Sequence, residues 1–291
     1  MRILIAGLGD LGAEVARLAA REGHDVLGLR RSAAAAPPGV ALLRGDVTDP
    51  GSLNLPPEVD VVIYCVAAGA RGEAAYREAY PNGLANVLDA IKASGSDGAR
   101  VLFVSSTGVY GDAGGGWVDE STEPRPLAFT GRAMLAAEEV LRGGPFTGIS
   151  LRLGGIYGPG RTFLPDAIRS GRAFSTATLE HWTNRIHRDD AARAILHLAA
   201  GADHPPVLNV VDPHPTRRSE VLTWLATQLA AELVVSTEAS VPPGGGARPR
   251  SGDRRVSSRR LASTGFEFQY PSFREGYREL LGGDPGAHHS P

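Results

Sequence analysis

The chain begins with a short apolar segment, residues 2–6, that runs directly into the glycines Gly7, Gly9 and Gly12. The spacing G-x-G-x-x-G, followed by an amphipathic stretch, is typical of a strand-to-helix turn that binds a dinucleotide. Gly7 permits the tight turn, Gly9 lets the backbone approach a pyrophosphate, and Gly12 lets helix pack on strand. The free N–H groups at the start of the helix then bind the anion. The motif therefore predicts a dinucleotide-binding domain at the N-terminus.

Short apolar runs alternate with helical patterns along the first half of the chain, and shorter elements follow. This alternation predicts an α/β fold with a Rossmann-type doubly wound parallel sheet, whose ligands bind at the carboxyl ends of the strands. We expect a dinucleotide-binding domain over 1–155, a smaller substrate-side lobe packed on it over 156–281, a flexible loop at 241–253 and a disordered tail over 282–291. The predicted strands are 2–6, 25–29, 40–44, 59–66, 100–104, 148–153 and 206–210. The predicted helices are 72–94, 128–142, 163–171, 188–201, 216–231 and 272–281.

The composition excludes several classes of function. A chain of 291 residues with 42% hydrophobic and 21% charged residues is an ordinary globular protein, and its net charge of −2 predicts no nucleic-acid or membrane partner. No apolar stretch reaches the length of a membrane span and no signal peptide is evident, so we expect a cytoplasmic protein. We expect a small-molecule substrate and a monomer or homodimer. No residues have metal-ligand spacing, and no metal site is predicted.

The residues after the second predicted strand favour one form of the cofactor. An acidic residue there would accept hydrogen bonds from the ribose of NAD, but the sequence has Arg30 and Arg31, which can bind a 2′-phosphate. We therefore predict NADP, with NAD less favoured; the alternative is two solvated loop arginines. Asp46, after the third strand, can accept a hydrogen bond from the adenine amino group. The predicted cofactor-binding residues are Gly7, Leu8, Gly9, Asp10, Leu11, Gly12, Arg30, Arg31, Asp46, Val47 and Ala67.

Further motifs follow the glycines in a familiar order. They include GDVTD at 45–49, SSTGVYG at 105–111, RLGGIYGPG at 152–160, RIHRDDAARAI at 185–195 and SFREGYREL at 272–280. With these segments the chain resembles the extended short-chain dehydrogenase/reductase superfamily, in the group of NAD-dependent epimerases/dehydratases. The resemblance extends to about residue 281. It implies a nicotinamide cofactor and chemistry on a small hydroxyl- or carbonyl-bearing molecule.

The resemblance also implies a catalytic Ser, Tyr and Lys, and two of these are missing. Ser106 matches the Ser that hydrogen-bonds the substrate oxygen. Alignment of 126–139 with the Tyr-x-x-x-Lys helix places Thr130 where Tyr belongs and Met134 where Lys belongs. A threonine hydroxyl is too weak an acid to replace a phenol, and methionine carries no charge. The standard proton relay is therefore absent, as in the atypical branch of the superfamily.

Other side chains are candidates for the missing proton donor. Tyr110 is expected at the mouth of the cleft because it follows the carboxyl end of a strand. The predicted catalytic residues are Ser106, Tyr110 and Tyr157, with His181 and His187 as alternatives, although a helix-capping role is favoured for His187. The adjacent Glu138 and Glu139 are expected to be solvated. The leading hypothesis is an NADP-dependent oxidoreductase or epimerase-like enzyme; the alternative is a non-catalytic NADP-binding regulatory or redox-sensing protein.

Overall fold

Seven parallel strands form the central sheet of the protein, in a computed structural model that describes residues 1–32, 34–201, 204–237 and 252–282. From one edge to the other their order is β7-β6-β5-β4-β1-β2-β3. The strands are β1 (Arg2–Ala6), β2 (Asp25–Arg30), β3 (Val40–Arg44), β4 (Val61–Tyr64), β5 (Arg100–Ser106), β6 (Thr147–Leu153) and β7 (Val207–Val210). This arrangement confirms the predicted Rossmann-type doubly wound sheet.

Helices cover both faces of the sheet, because its strands carry apolar residues on both sides. Ile3 and Ile5 of β1 pack into one apolar cluster with the first and sixth helices. Leu4 and Ala6 face the opposite cluster, which the third and fourth helices cover. The helices are α1 (Asp10–Arg21), α2 (Glu73–Arg77), α3 (Gly83–Ala93), α4 (Phe129–Gly143), α5 (Phe163–Arg169), α6 (Arg188–Ala200), α7 (Arg218–Gln228), α8 (Arg259–Ala262) and α9 (Phe273–Leu280).

Most predicted elements are present, with ends that differ by a few residues. The helix predicted over 72–94 is interrupted by a π-helical segment, Glu78–Asn82, which contains Pro81. Proline has no N–H to donate to the preceding turn, so the regular hydrogen-bond pattern cannot continue through it. The loop predicted at 241–253 and the tail predicted at 282–291 lie almost entirely outside the described residues.

The second half of the chain contributes both to the central sheet with its helix layers and to a separate apolar core. β7 pairs in parallel with β6, and α6 packs against the same apolar cluster as α1, so the stretch 156–281 adds a strand and a helix to the Rossmann layers. The rest of that stretch has its own core, where α5, α7 and α9 surround Tyr157 and Phe174. Within the described residues, no helix combines the length and the apolar character needed to cross a membrane.

Short strand pairs that the sequence did not predict connect these regions. Gly155–Tyr157 pairs in parallel with Arg185–His187, and Trp117–Val118 pairs in parallel with Arg255–Val256. Segments of two or three residues are too short to show the alternation that marks a strand. They hold the loops that follow β5 and β6 in place beside the carboxyl ends of the strands.

Candidate functional site

The glycine loop lies at the topological switch point of the sheet. β2 and β3 extend the sheet on one side of β1, and β4 lies on the other side. Doubly wound folds bind ligands beyond the carboxyl ends of the strands at this point. Gly7 follows β1 here and Cys65 follows β4; a Cβ on Gly7 would lie 2.8 Å from the Cys65 carbonyl oxygen. The ends of the two strands are therefore in direct contact.

The three glycines of the loop have different surroundings. Gly7 has a φ of +95°, which favours glycine. A Cβ on Gly12 would overlap the carbonyl oxygen of Gly7, so α1 packs directly on the turn. Among the residues that the structure describes, and apart from its neighbours in the chain, Gly9 has no atom within 4 Å of the position of a Cβ. The surroundings of Gly7 and Gly12 match their predicted roles in the turn and in helix packing. The open space at Gly9 fits the approach of a diphosphate.

Asp10, the first residue of α1, takes part in an ion-pair network that crosses the site. Its carboxylate lies 2.5 Å from Nε of Arg161 and 3.5 Å from Nη1 of Arg188. Arg161 belongs to the loop after β6, whereas Arg188 is the first residue of α6. The sequence placed Asp10 in the cofactor site but did not predict that two arginines from distant segments would neutralise it.

Four other predicted cofactor-site residues offer only backbone groups or apolar surface. Leu8 and Leu11 are buried, and the Leu8 side chain packs over Gly28 of β2. Val47 is buried as well, whereas Ala67 is exposed after β4. These residues shape the walls of the crevice.

Arg30 and Arg31 lie at the carboxyl end of β2, as predicted. The Arg31 side chain is 62% exposed, and its Nη1 lies 3.6 Å from the Asp46 carboxylate. Arg30 makes no side-chain hydrogen bond or ion pair with any residue that the structure describes. Asp46 accepts hydrogen bonds from the N–H and the hydroxyl of Thr48. Burial raises the pKa of Asp46, but the Thr48 hydrogen bonds and the Arg31 charge outweigh it and hold the pKa below its ordinary value. In the structure, Arg31 therefore lies close to Asp46, whose carboxylate is ionised.

Ser106 is the last residue of β5 and begins a turn of 3₁₀ helix, Thr107–Val109. Its half-buried Oγ accepts a hydrogen bond from the Gly108 N–H at 3.0 Å. Within the described part of the chain, the hydroxyl hydrogen of Ser106 has no acceptor, so it remains available as a donor. The start of α4 packs on this turn, because a Cβ on Gly131 would lie 2.5 Å from the Gly108 carbonyl oxygen. Thr130 therefore lies at the same end of the sheet as Ser106.

Tyr110 does not stand at the mouth of the cleft, and that prediction is wrong. Its side chain is 1% exposed, and its hydroxyl donates to Oδ1 of Asn209 at 2.9 Å. The Arg152 guanidinium lies 4.9 Å from the ring centre. Burial is the main cause that raises the pKa of Tyr110, although Arg152 and Asn209 act in the opposite direction. The turn after β5 directs the ring into the core, where the phenol cannot reach a substrate.

Tyr157 is also buried, so the geometry contradicts its predicted place among the catalytic residues. It is 3% exposed, its hydroxyl donates to the Ser272 carbonyl at 3.2 Å, and its ring lies against Tyr277. Burial raises the pKa of Tyr157 far above its ordinary value. The phenol holds α9 against the loop after β6 and is a core residue.

The two histidines differ in exposure. His187 is fully buried, and its Nδ1 accepts the Asp189 N–H at 3.3 Å, which confirms the helix-capping role. Burial lowers the pKa of His187. His181 is half-buried and interacts electrostatically with Asp112, on the loop after β5. Of the four side chains considered as substitute proton donors, His181 is therefore the one with access to solvent and a neighbouring carboxylate.

A buried polar cluster behind the site was missed by the sequence analysis. Glu138 is 7% exposed, so the expectation that it is solvated is wrong. It accepts hydrogen bonds from Arg152 and from Ser105, both at 2.6 Å. Ser105, Arg152 and Asn209 are register partners on β5, β6 and β7. A polar residue at the same level of three adjacent buried strands is the signal that could have predicted this cluster. Glu139, in contrast, is exposed, as expected.

The comparisons with known proteins agree with this geometry. Residues 3–210 match the model of the NAD dependent epimerase/dehydratase family. The chain belongs to this family. Protein YeeZ of Escherichia coli K12 is 30% identical over 287 residues, covering 93% of this chain and 96% of YeeZ. The family assignment confirms the resemblance on which the sequence analysis relied.

Solved structures show the same fold over nearly the whole chain. A putative NAD-dependent epimerase/dehydratase from Methylobacillus flagellatus is 37% identical, with a TM-score of 0.79 and coverage of 96% of this chain and 97% of that one. The human epimerase family protein SDR39U1, solved with NADPH, has a TM-score of 0.79 at 19% identity, and the match covers 97% of this chain and 99% of that one. Other structures with this fold were solved with NAD. The chain is therefore an extended short-chain dehydrogenase/reductase by fold.

Proposed function

We propose that the protein is an NADP-dependent oxidoreductase that acts on a small carbonyl- or hydroxyl-bearing substrate without the Tyr-Lys pair. The observation that carries this proposal is the crevice at the switch point, where Gly7 contacts the residue after β4 and open space surrounds Gly9. Ser106, whose hydroxyl hydrogen has no acceptor among the described residues, lies at the carboxyl end of the next strand, β5. The glycine loop does not distinguish NADPH from NADH, because the two cofactors share the diphosphate.

Arg30 and Arg31 support the choice of NADP. Arg30 has no charged partner among the described residues, and Arg31 is exposed with a weak contact to Asp46. A charge-assisted contact with a 2′-phosphate is worth about 1.5–3 kcal/mol, or about 10- to 100-fold in affinity. We expect NADPH to bind more tightly than NADH by that factor in calorimetric titrations. Arg30→Ala and Arg31→Ala should each narrow the difference, and equal affinities in the parent protein would reject the NADP assignment.

The chemistry of the protein residues is limited to polarising the substrate and delivering a proton. When bound, the nicotinamide supplies or accepts a hydride. The Ser106 hydroxyl donates a hydrogen bond to the substrate oxygen, as in the family. We assign the proton donor to His181, because Tyr110 and Tyr157 are buried and engaged. An imidazole is a better general acid than the Thr130 hydroxyl.

Steady-state reduction of a panel of aldehydes, diketones and quinones tests the activity. We expect Ser106→Ala to lower turnover about 10²-fold without changing NADPH affinity. His181→Gln should lower turnover without changing NADPH affinity, whereas Tyr110→Phe should leave turnover unchanged. If Tyr110→Phe lowers turnover and His181→Gln does not, the assignment of His181 is wrong.

A second candidate function is a non-catalytic NADP-binding protein. The specific observation in its favour is that the Tyr-Lys pair is missing and both tyrosines predicted to replace it are buried. This alternative predicts tight NADPH binding and no turnover of any compound in the panel. NADPH-dependent turnover of even one compound that Ser106→Ala slows would exclude it.

A further inference from the structure

The loop after β6 reaches across the crevice to the start of α1. Residues 158–161 form a tight turn, closed by a bridge between Gly158 and Arg161. Nε of Arg161 lies 2.5 Å from the Asp10 carboxylate. A Cβ on Gly160 would lie 3.6 Å from the same carboxylate. The turn thus places a guanidinium beside the helix N-terminus that follows Gly9.

The turn is held firmly from behind. Nη1 of Arg188 donates to the carbonyl oxygen of Pro159 at 3.0 Å. Gly158 has a φ of +136°, and a Cβ there would lie 3.1 Å from Nε2 of His187 and 3.2 Å from Cβ of Arg188. The turn therefore packs against the N-terminus of α6 with no space for a side chain at Gly158. Arg161 projects from a fixed support toward α1.

Stability alone does not explain the Asp10–Arg161 pair. The side chains are 34% and 40% exposed, and ion pairs at such positions contribute little to folding. An aspartate at this position also repels a phosphate that approaches the N–H groups of the glycine loop. Both terminal nitrogens of Arg161 lack a hydrogen-bond partner within the residues that the structure describes. A guanidinium held by one nitrogen, with two others free, suits a diphosphate ligand.

We propose that Arg161 binds the cofactor diphosphate and that Asp10 positions its guanidinium for this contact. The inference rests on the proposed function, because it takes a nicotinamide dinucleotide as the ligand. The loop after β6 then contributes directly to cofactor affinity, together with the glycine loop. Because NADPH and NADH share the diphosphate, Arg161 strengthens the binding of both equally, whereas Arg30 and Arg31 distinguish between them.

Calorimetric titration of NADPH and NADH into the full chain tests the proposal. We expect Arg161→Gln to weaken both dinucleotides by the same factor, about tenfold or more. Arg161→Lys keeps the charge but loses the planar fork, and should give an intermediate loss. Arg142→Gln is the matched control, because Arg142 is an exposed arginine paired with Glu139 on the far end of α4, and it should bind like the parent. Circular dichroism of each variant without cofactor checks that the fold is intact.

The double variant Asp10→Asn/Arg161→Gln separates direct binding from simple neutralisation of Asp10. If Arg161 contacts the diphosphate, the double variant stays about tenfold or more weaker than the parent. If Arg161 only masks the Asp10 charge, removing that charge restores the parental affinity, and the proposal is overturned. Unchanged affinity of Arg161→Gln overturns it as well, while the proposed function survives. If the parent binds neither dinucleotide, the proposed function and this inference both fail.

Discussion

Gly9→Val tests the dinucleotide crevice most directly, because the structure predicts a large effect on cofactor binding and a small effect on folding. Gly9 has a φ of −77° and a ψ of −165°, an extended conformation that valine adopts readily. In the described part of the chain, no atom beyond its sequence neighbours lies within 4 Å of its Cβ position, so the unliganded protein can accept the side chain. Valine is a poorer residue than glycine before the first turn of a helix. We expect the free energy of unfolding to fall by about 1 kcal/mol or less.

The effect of Gly9→Val on the cofactor should be much larger. The valine side chain occupies the open space through which a diphosphate reaches the N–H groups at the start of α1. Losing one or two charge-assisted hydrogen bonds costs about 3 kcal/mol, which is about 100-fold in affinity. Calorimetric titration of NADPH gives the affinity, and urea denaturation of the same preparation gives the stability.

Gly12→Ala is the matched control for Gly9→Val. A Cβ at Gly12 would overlap the carbonyl oxygen of Gly7, so either α1 or the turn must shift. Overpacking of this kind costs about 1–3 kcal/mol. The reasoning is refuted if Gly9→Val binds NADPH as tightly as the parent. It is also refuted if Gly9→Val destabilises the fold as much as Gly12→Ala, because the space at Gly9 would then not be open.

Three further predictions concern the buried groups and α4. Burial raises the pKa of Asp212 from 3.8 to about 8, so the native state keeps a proton that the unfolded chain loses. As the pH rises from roughly 4 to 8, the free energy of unfolding should therefore fall by about 1 kcal/mol per pH unit in denaturation curves. Asp212→Asn should flatten that slope. Glu138→Gln leaves its arginine partner buried without a carboxylate and should cost about 3–5 kcal/mol in urea denaturation, against less than about 1 kcal/mol for the exposed neighbour Glu139→Gln. Thr130→Tyr with Met134→Lys should raise NADPH-dependent carbonyl reduction by about 10²-fold; no gain in a variant that still binds NADPH would mean that the relay is not what limits the parent.

The sequence predicts the sheet well, because its strands are continuous apolar runs bounded by turn residues. β1 is an example: Ile3 to Ala6 face both helix layers, so the whole strand had to be apolar. The short pairs, such as Trp117–Val118 with Arg255–Val256, depend on contacts between segments far apart in the chain. Two residues carry no periodic pattern, so these pairs could not be predicted.

The sequence could predict only those parts of the site whose residues lie close together in one motif. The turn and packing roles of Gly7 and Gly12 follow from a local motif. The orientation of Tyr110 does not, because the 3₁₀ turn before it decides whether the ring faces the cleft or Asn209. The ion pair between Asp10 and Arg161 joins residues from different segments that only the folded chain brings together.

Helix α4 shows why the fold does not depend on a Tyr and a Lys at positions 130 and 134. Thr130 and Met134 lie toward its start, where the half-buried Met134 packs against apolar clusters on both sides. The start of the helix also packs on the turn after β5 through Gly131, and further along Glu138 accepts hydrogen bonds from Arg152 and Ser105. Neither contact uses the side chain of Thr130 or Met134. Replacing Met134 therefore removes apolar packing but leaves these two anchors of the helix in place.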